Sequence, residues 1–247
     1  MRVLRALLKA ALGLVALLLL AVAGGCLWLH EPRPEGTPGA EADALARQMM
    51  AAVDADAWSR VRVVQFTFGG RNRWVWDRAG QRAWLRQGEL DVRFHTDTRD
   101  GYALNGGRRL AGPYAERALE DAWAQFCNDT FWLNPVVKAF DMGTERLVVP
   151  TEDGRTGLMV RYLSGGVTPG DAYLWRLDDA ARPVAWQMWV KILPVGGVEA
   201  SWDGWTQLPG GAWISTRHAL GPVDLELTDL AVADDVEALA PGVFTRP

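Results

Sequence analysis

"NRWVWDRAGQRAWL" occupies Asn72–Leu85 and sets Trp74, Trp76 and Trp84 on either side of a short Asp-Arg-Ala-Gly turn. Apolar residues spaced by two on both sides of a turn predict two antiparallel strands joined as a hairpin. The same spacing extends outward. Val64, Phe66 and Phe68 precede the hairpin, and Leu90, Val92 and Phe94 follow it in alternation with Asp91, Arg93 and His95. Such alternation marks strands with one wet face. "FGGRN" at 68–72, "DRAGQ" at 77–81, "RDG" at 99–101 and "NGG" at 105–107 are short turn signals, so neighbouring strands run antiparallel.

Two helical patterns interrupt the strands. Leu45, Met49, Ala52 and Val53 share one face of a helix from about Ala42 to Asp54. Ala115, Leu119, Trp123 and Phe126 do so from about Tyr114 to Asp129, ending before "FWLNP". Period-two spacing then resumes in Leu158/Val160/Tyr162, Tyr173/Trp175/Leu177, Val184/Trp186/Met188/Val190, Val198/Ala200/Trp202, Ile214/Thr216 and Val223/Leu225/Leu227. The expectation is about ten strands and two helices: a mainly β, α+β domain with a curled antiparallel sheet around its helices. Trp-rich hairpins recur, as in "YLWRLDDAARPVAWQMW" at 173–189, but no strict period supports a propeller or solenoid.

The 247 residues carry 49% hydrophobic and 23% charged side chains and a net charge of −4, a folded rather than disordered balance. Arginines outnumber lysines 23 to 3 but are scattered among acids, so no basic face is available to displace counterions and no nucleic-acid partner is expected. Arg2, Arg5 and Lys9 precede an uncharged apolar run from Ala10 to Leu29. At 1.5 Å per residue this run reaches roughly 30 Å, enough to span a bilayer with its basic end inside and Trp28 at an interface. Residues 1–30 are therefore a signal peptide or transmembrane anchor, and the remainder is exported to face the periplasm of a bacterial envelope. "VAGGC" leaves a second reading open, in which Cys26 is cleaved and lipidated. Residues 31–41, rich in Pro, Gly and acid, read as a flexible linker before a domain over 42–247. Beyond the anchor only Cys127 remains, which excludes an intrachain disulfide there.

The order of these pieces resembles the LolA/LolB-like superfamily of periplasmic lipoprotein carriers and receptors. The likeness rests on the leading helix with "WSRVRVVQFTF", the mid-domain helix running into "FWLNPVVK", the hairpin at 173–189 and the closing "LAPGVF". It implies an unclosed antiparallel β-barrel whose concave apolar face, covered by helices, accepts acyl chains. A retained anchor departs from a soluble shuttle and suits a fixed receptor, chaperone or sensor.

The candidate ligand-binding residues are Val64, Phe66, Phe68, Trp74, Trp76, Val92, Phe94, Tyr173, Trp175, Trp186 and Met188. The same tryptophans also read as plain core, each removing about 150–250 Å² from water. No cofactor or metal is expected, and no catalytic residue: the only histidines are His30, His95 and His218, and no HExxH, CxxC, GxSxG or phosphate-loop pattern occurs. Asp91, Arg93, His95 and Asp97 share a strand face and could orient a histidine, but read first as a solvated face. Two functions stay open: an envelope-tethered, non-catalytic domain binding a lipid or lipoprotein acyl chain, and a structural or protein-interaction domain with an envelope protein partner. A hydrolase is a remote third.

Overall fold

Phe66 lies opposite Trp74 and Val64 opposite Trp76 in an antiparallel ladder, so the hairpin and the strand before it present one aromatic face. A computed structural model describes residues 24–25, 28–151, 154–165 and 167–245. In chain order these form β1 (Thr37–Pro38), α1 (Ala40–Ala52), α2 (Ala55–Arg60), β2 (Val63–Phe68), β3 (Asn72–Asp77), β4 (Arg82–Gln87), β5 (Leu90–His95), β6 (Gly101–Asn105), β7 (Arg108–Arg109) and α3 (Pro113–Leu133). A 3-10 turn at Val136–Lys138 leads into β8 (Thr144–Pro150), β9 (Thr156–Tyr162), β10 (Ala172–Leu177), β11 (Pro183–Trp189), β12 (Val198–Ser201), β13 (Thr206–Gln207), β14 (Trp213–Ile214), β15 (Arg217–Leu220) and β16 (Val223–Ala233). Cys26 and nearly all of the expected anchor lie outside the described residues, among which no helix is long and apolar enough to cross a membrane.

The strands form an eight-stranded sheet in the order β15-β16-β2-β3-β4-β5-β6-β7, a six-stranded sheet in the order β1-β8-β9-β10-β11-β12, and the β13-β14 hairpin. Every pairing is antiparallel. The two large sheets meet where Asp203 bridges Arg217 just after β12, and β1 and β7 end the ladders, so the surface curls without closing into a barrel. The hairpin turn at 78–81 is closed by Asp77. Asp77 Oδ1 accepts from the Gly80 amide at 2.7 Å, and its other oxygen takes the Arg82 guanidinium. A side chain at Gly80 would collide with that carboxylate.

The helices fill the concave side. Ala118, Ala122 and Phe126 of α3 pack on Val64, Phe66, Trp74, Leu85, Val92 and Phe94 of the eight-stranded sheet. Ala46 and Met49 of α1, with Trp132 at the end of α3, pack on Leu158, Val160, Tyr173, Trp175, Trp186 and Met188 of the six-stranded sheet. Phe68 touches both clusters and makes one continuous interior of them. On the convex side, Trp84 joins Val63 and Val75 beneath Val236 and Val243 of the closing segment. Trp84 thus points away from Trp74 and Trp76, as alternation requires.

Three expectations need correction. Among the described residues from 40 onward there are three α-helices rather than two: "ADAWSR" forms α2, started by Asp54, whose side chain accepts from the Ala57 amide. Helix α3 runs through Phe131, Trp132 and Leu133 to Asn134-Pro135, because both aromatic side chains are held among rings of the interior. The expected flexible linker is fastened to the domain. The Glu31 amide donates to Gly196 O at 3.0 Å and Trp189 Nε1 to Glu31 O at 2.8 Å, while Thr37–Pro38 pairs with β8. Gly36 lies so close to Val149 and Val148 that a Cβ there would clash.

Candidate functional site

The interior divides into two halves of different polarity. In the first, Asp129 projects from α3 at a position three residues after Phe126, on the face that meets the sheet. Its carboxylate accepts from Asn72 Nδ2 and Trp74 Nε1, each at 2.8 Å, and from Asn128 Nδ2 at 2.9 Å. Gln87 Nε2 donates to Asn72 Oδ1 at 2.8 Å and to Gln125 Oε1 at 3.2 Å, tying the helix to β3 and β4. Burial raises the Asp129 pKa, against the lowering effect of its three donors and the Arg71 charge. Around this network Phe126 receives the edges of Trp74, Trp76 and Phe94 at ring separations of 5.6, 5.2 and 5.7 Å.

The second half is a packed aromatic cluster with unmatched polar atoms. Trp186 and Trp202 rings lie 4.9 Å apart, Trp132 is 4.9 Å from Trp186, and Trp175 is 4.8 and 5.0 Å from Trp186 and Trp202. The His218 ring sits 4.3 Å from Trp202 and 5.2 Å from Trp132. Trp186 Nε1, Trp202 Nε1, His218 Nε2 and Asn134 Nδ2 are buried without a hydrogen-bond partner among the described residues. His218 Nδ1 lies 3.1 Å from Ser201 O, which can only accept, so this nitrogen carries the proton. Burial lowers the imidazole pKa to about 4, which leaves the ring neutral and Nε2 a bare acceptor. This half therefore offers two indole donors beside one imidazole acceptor, in a cluster that includes Val160, Met188 and Ala200 and the rings of Trp132, Trp175 and Tyr173. That chemistry suits an uncharged polar group and disfavours a charged one.

All eleven expected ligand-binding residues face this interior. Val64, Phe66, Trp74, Val92 and Phe94, with Phe68 and Trp76 at the margin, line the first half; Tyr173, Trp175, Trp186 and Met188 line the second. Asp129, Trp132, Asn134 and His218 were not among them. An acid on the apolar stripe of α3 was the one available signal for Asp129, whereas His218 comes from a strand whose partners are distant in sequence.

No acid–base set assembles around the histidines. Asp91 is occupied by Trp84 Nε1 at 2.7 Å and by Arg93, while Arg93 also donates to Val243 O. Asp97 caps the Thr98 amide, and His95 is exposed. His30 Nδ1 accepts from the Gly196 amide. The Cys127 thiol is pushed up by burial, away from the nucleophilic form. Among the described residues no group of three or more His, Cys, Asp or Glu could hold a metal ion. Two surface recesses exist outside the interior: about 430 Å³ beside Arg47, Asp54 and Phe140, and about 600 Å³ beside Arg155, Arg176 and Glu199 on the convex side.

No family model matches the chain, and no curated protein matches it. Among solved structures it is similar to a DUF1329 family protein from Desulfovibrio piger, at 12% identity over 82% of this chain and 96% of that one, with a TM-score of 0.40. It is also similar to an outer membrane lipoprotein-sorting protein domain from Vibrio parahaemolyticus, at 9% identity over 81% and 97% of the two chains, with a TM-score of 0.34.

Proposed function

We propose that the chain is an envelope-tethered, non-catalytic domain that takes up an apolar ligand, a lipid or a lipoprotein acyl chain, in its concave interior. The observation that carries the reading is the trio of buried, unmatched polar atoms on Trp186, Trp202 and His218, whose rings join in one aromatic cluster. An orphaned buried donor or acceptor costs about 1–3 kcal/mol, and a core with no other task would replace such groups by apolar ones. An ester, amide or hydroxyl of an acyl ligand would satisfy them. Its chain would run past Phe68 toward Phe66, Trp74 and Val92, beneath Ala118 and Ala122 of α3. Helix α3 starts at Gly112 without a side-chain cap, whereas its far end is held by Asp129, which favours opening from the N-terminal end.

A second reading, a structural or protein-interaction domain without a small ligand, is favoured by the first half alone, where Trp74 is fully buried and its indole N–H is satisfied by Asp129. Organic-solvent extraction of the purified protein, expressed in a bacterial envelope, followed by mass spectrometry separates the two. A stoichiometric acyl-bearing species supports the first reading. An empty extract that stays empty after incubation with lipid vesicles supports the second.

A further inference from the structure

Strands β8 and β10 begin, and β9 and β11 end, at one common end of the six-stranded sheet, as the pairings Thr144↔Tyr162, Ala172↔Arg161 and Ala172↔Trp189 require. At that end the connecting segments expose Met142 (95%), Leu163 (53%), Val167 (50%) and Ile192 (70%). These segments are fixed to each other. The Leu163 amide donates to Gly143 O, the Lys191 amide to Asp171 Oδ1, and the Gly170 amide to Tyr162 O. Of the other large exposed apolar side chains among the described residues, Phe140 lies on the segment of Met142, Trp28 and Leu29 lie at the N-terminus, and Tyr114, Val184 and Val223 come one each from separate elements.

His30 and Glu31, which follow the N-terminal apolar run in sequence, join the domain at this same end. Glu31 is clamped by its amide on Gly196 O, by Trp189 Nε1 on its carbonyl and by Gln187 Nε2 on its carboxylate at 3.0 Å, while the Gly196 amide donates to His30. Gly197 makes the clamp possible: it has φ of +81°, and a Cβ there would lie 2.5 Å from Glu31 Cβ. Trp28 and Leu29, just ahead of the clamp, are 86% and 59% exposed. Lys191 stands exposed beside Ile192 and can carry its ammonium at a lipid–water boundary while its stem lies along apolar surface.

We propose that this end of the six-stranded sheet is a membrane-contacting edge, in which Met142, Leu163, Val167 and Ile192 enter the interfacial layer of the bilayer that residues 10–29 enter. The partner is a lipid surface, because the clamped residues His30 and Glu31 directly follow the apolar run at 10–29, which is of membrane-spanning length. The domain is then held in one orientation, lying on the bilayer rather than swinging above it. The inference rests on the anchoring part of the proposed function and not on ligand uptake.

The test uses the full chain with Cys26→Ala and Cys127→Ser, reconstituted in vesicles of phosphatidylethanolamine and phosphatidylglycerol, part of which carries bromine on the acyl chains. Met142→Cys and Ile192→Cys receive an environment-sensitive fluorophore, as does Val184→Cys at the opposite end of β11; the parent without an added cysteine gives the baseline. The expected result is at least several-fold stronger quenching by brominated lipid at 142 and 192 than at 184. Equal quenching at all three sites, in protein that sediments with the vesicles, overturns the edge and leaves the anchor intact. Protein that stays in the soluble fraction overturns both.

Discussion

Trp74 Nε1 donates to the Asp129 carboxylate at 2.8 Å, with both residues buried and 55 positions apart in sequence. This bond and its Asn72 counterpart fasten the long interior helix to the hairpin beneath it. Asp129→Ala leaves two buried donors without an acceptor, and urea denaturation is expected to show a loss of about 2–4 kcal/mol. Asp129→Asn, which keeps one acceptor oxygen, is expected to lose less.

The same residue has a pH signature. Its folded pKa lies above the unfolded value of 3.8, with burial as the leading cause. The folded state thus holds the proton where the unfolded chain has released it. The contribution of Asp129 to stability is fully present below 3.8 and is lost as pH rises through the folded pKa. Denaturation of the parent and Asp129→Asn across this window should show the parent's advantage shrinking as pH rises.

His218 acts with the opposite sign. Its folded pKa of about 4 lies below the unfolded 6.5, so the unfolded chain binds a proton first and stability falls as pH drops from 6.5 toward 4. The contribution at neutral pH is at most about 3 kcal/mol. His218→Asn, which retains a donor for Ser201 O, is expected to flatten the acid limb of the stability profile measured by urea midpoints.

Cys26 is expected to bear on the mode of anchoring alone. Because apolar residues continue past it as Leu27, Trp28 and Leu29, Cys26→Ala is expected to leave electrophoretic mobility and the membrane fraction unchanged. Loss of an incorporated acyl label in the variant would assign the lipoprotein form instead.

Much of this fold was legible because strand periodicity is local. Val64/Phe66, Trp74/Trp76, Leu90/Val92/Phe94 and Tyr173/Trp175 each announced a buried face, and the turn at 77–81 its own closure by Asp77. What escaped depends on distant partners. The apolar run "FWL" carries no mark separating helix from loop, and it stays helical because Phe131 and Trp132 meet Trp186, more than fifty residues away. The strap at Glu31 has the composition of a free linker and is held by Trp189 and Gly196. The orphaned atoms of Trp186 and Trp202 come from the paired β11 and the end of β12, and that of His218 from β15 in the other sheet, which the curl brings beside them.

The central claim, uptake of an acyl ligand at the Trp186–Trp202–His218 cluster, is tested most directly by titrating a fluorescent fatty-acid probe against tryptophan emission, with urea denaturation of the same samples. The proteins compared are the parent, Trp186→Leu with Trp202→Leu, and Trp74→Leu with Trp76→Leu. Leucine keeps apolar burial but removes the indole donors, and large aromatic truncations cost up to about 3–5 kcal/mol. The account predicts that the first double variant loses at least tenfold in probe affinity. It predicts that the second, which also strips Asp129 of a donor, is destabilised as much or more yet loses less affinity. Equal affinity of all three proteins for the probe, or none in the parent, would contradict it.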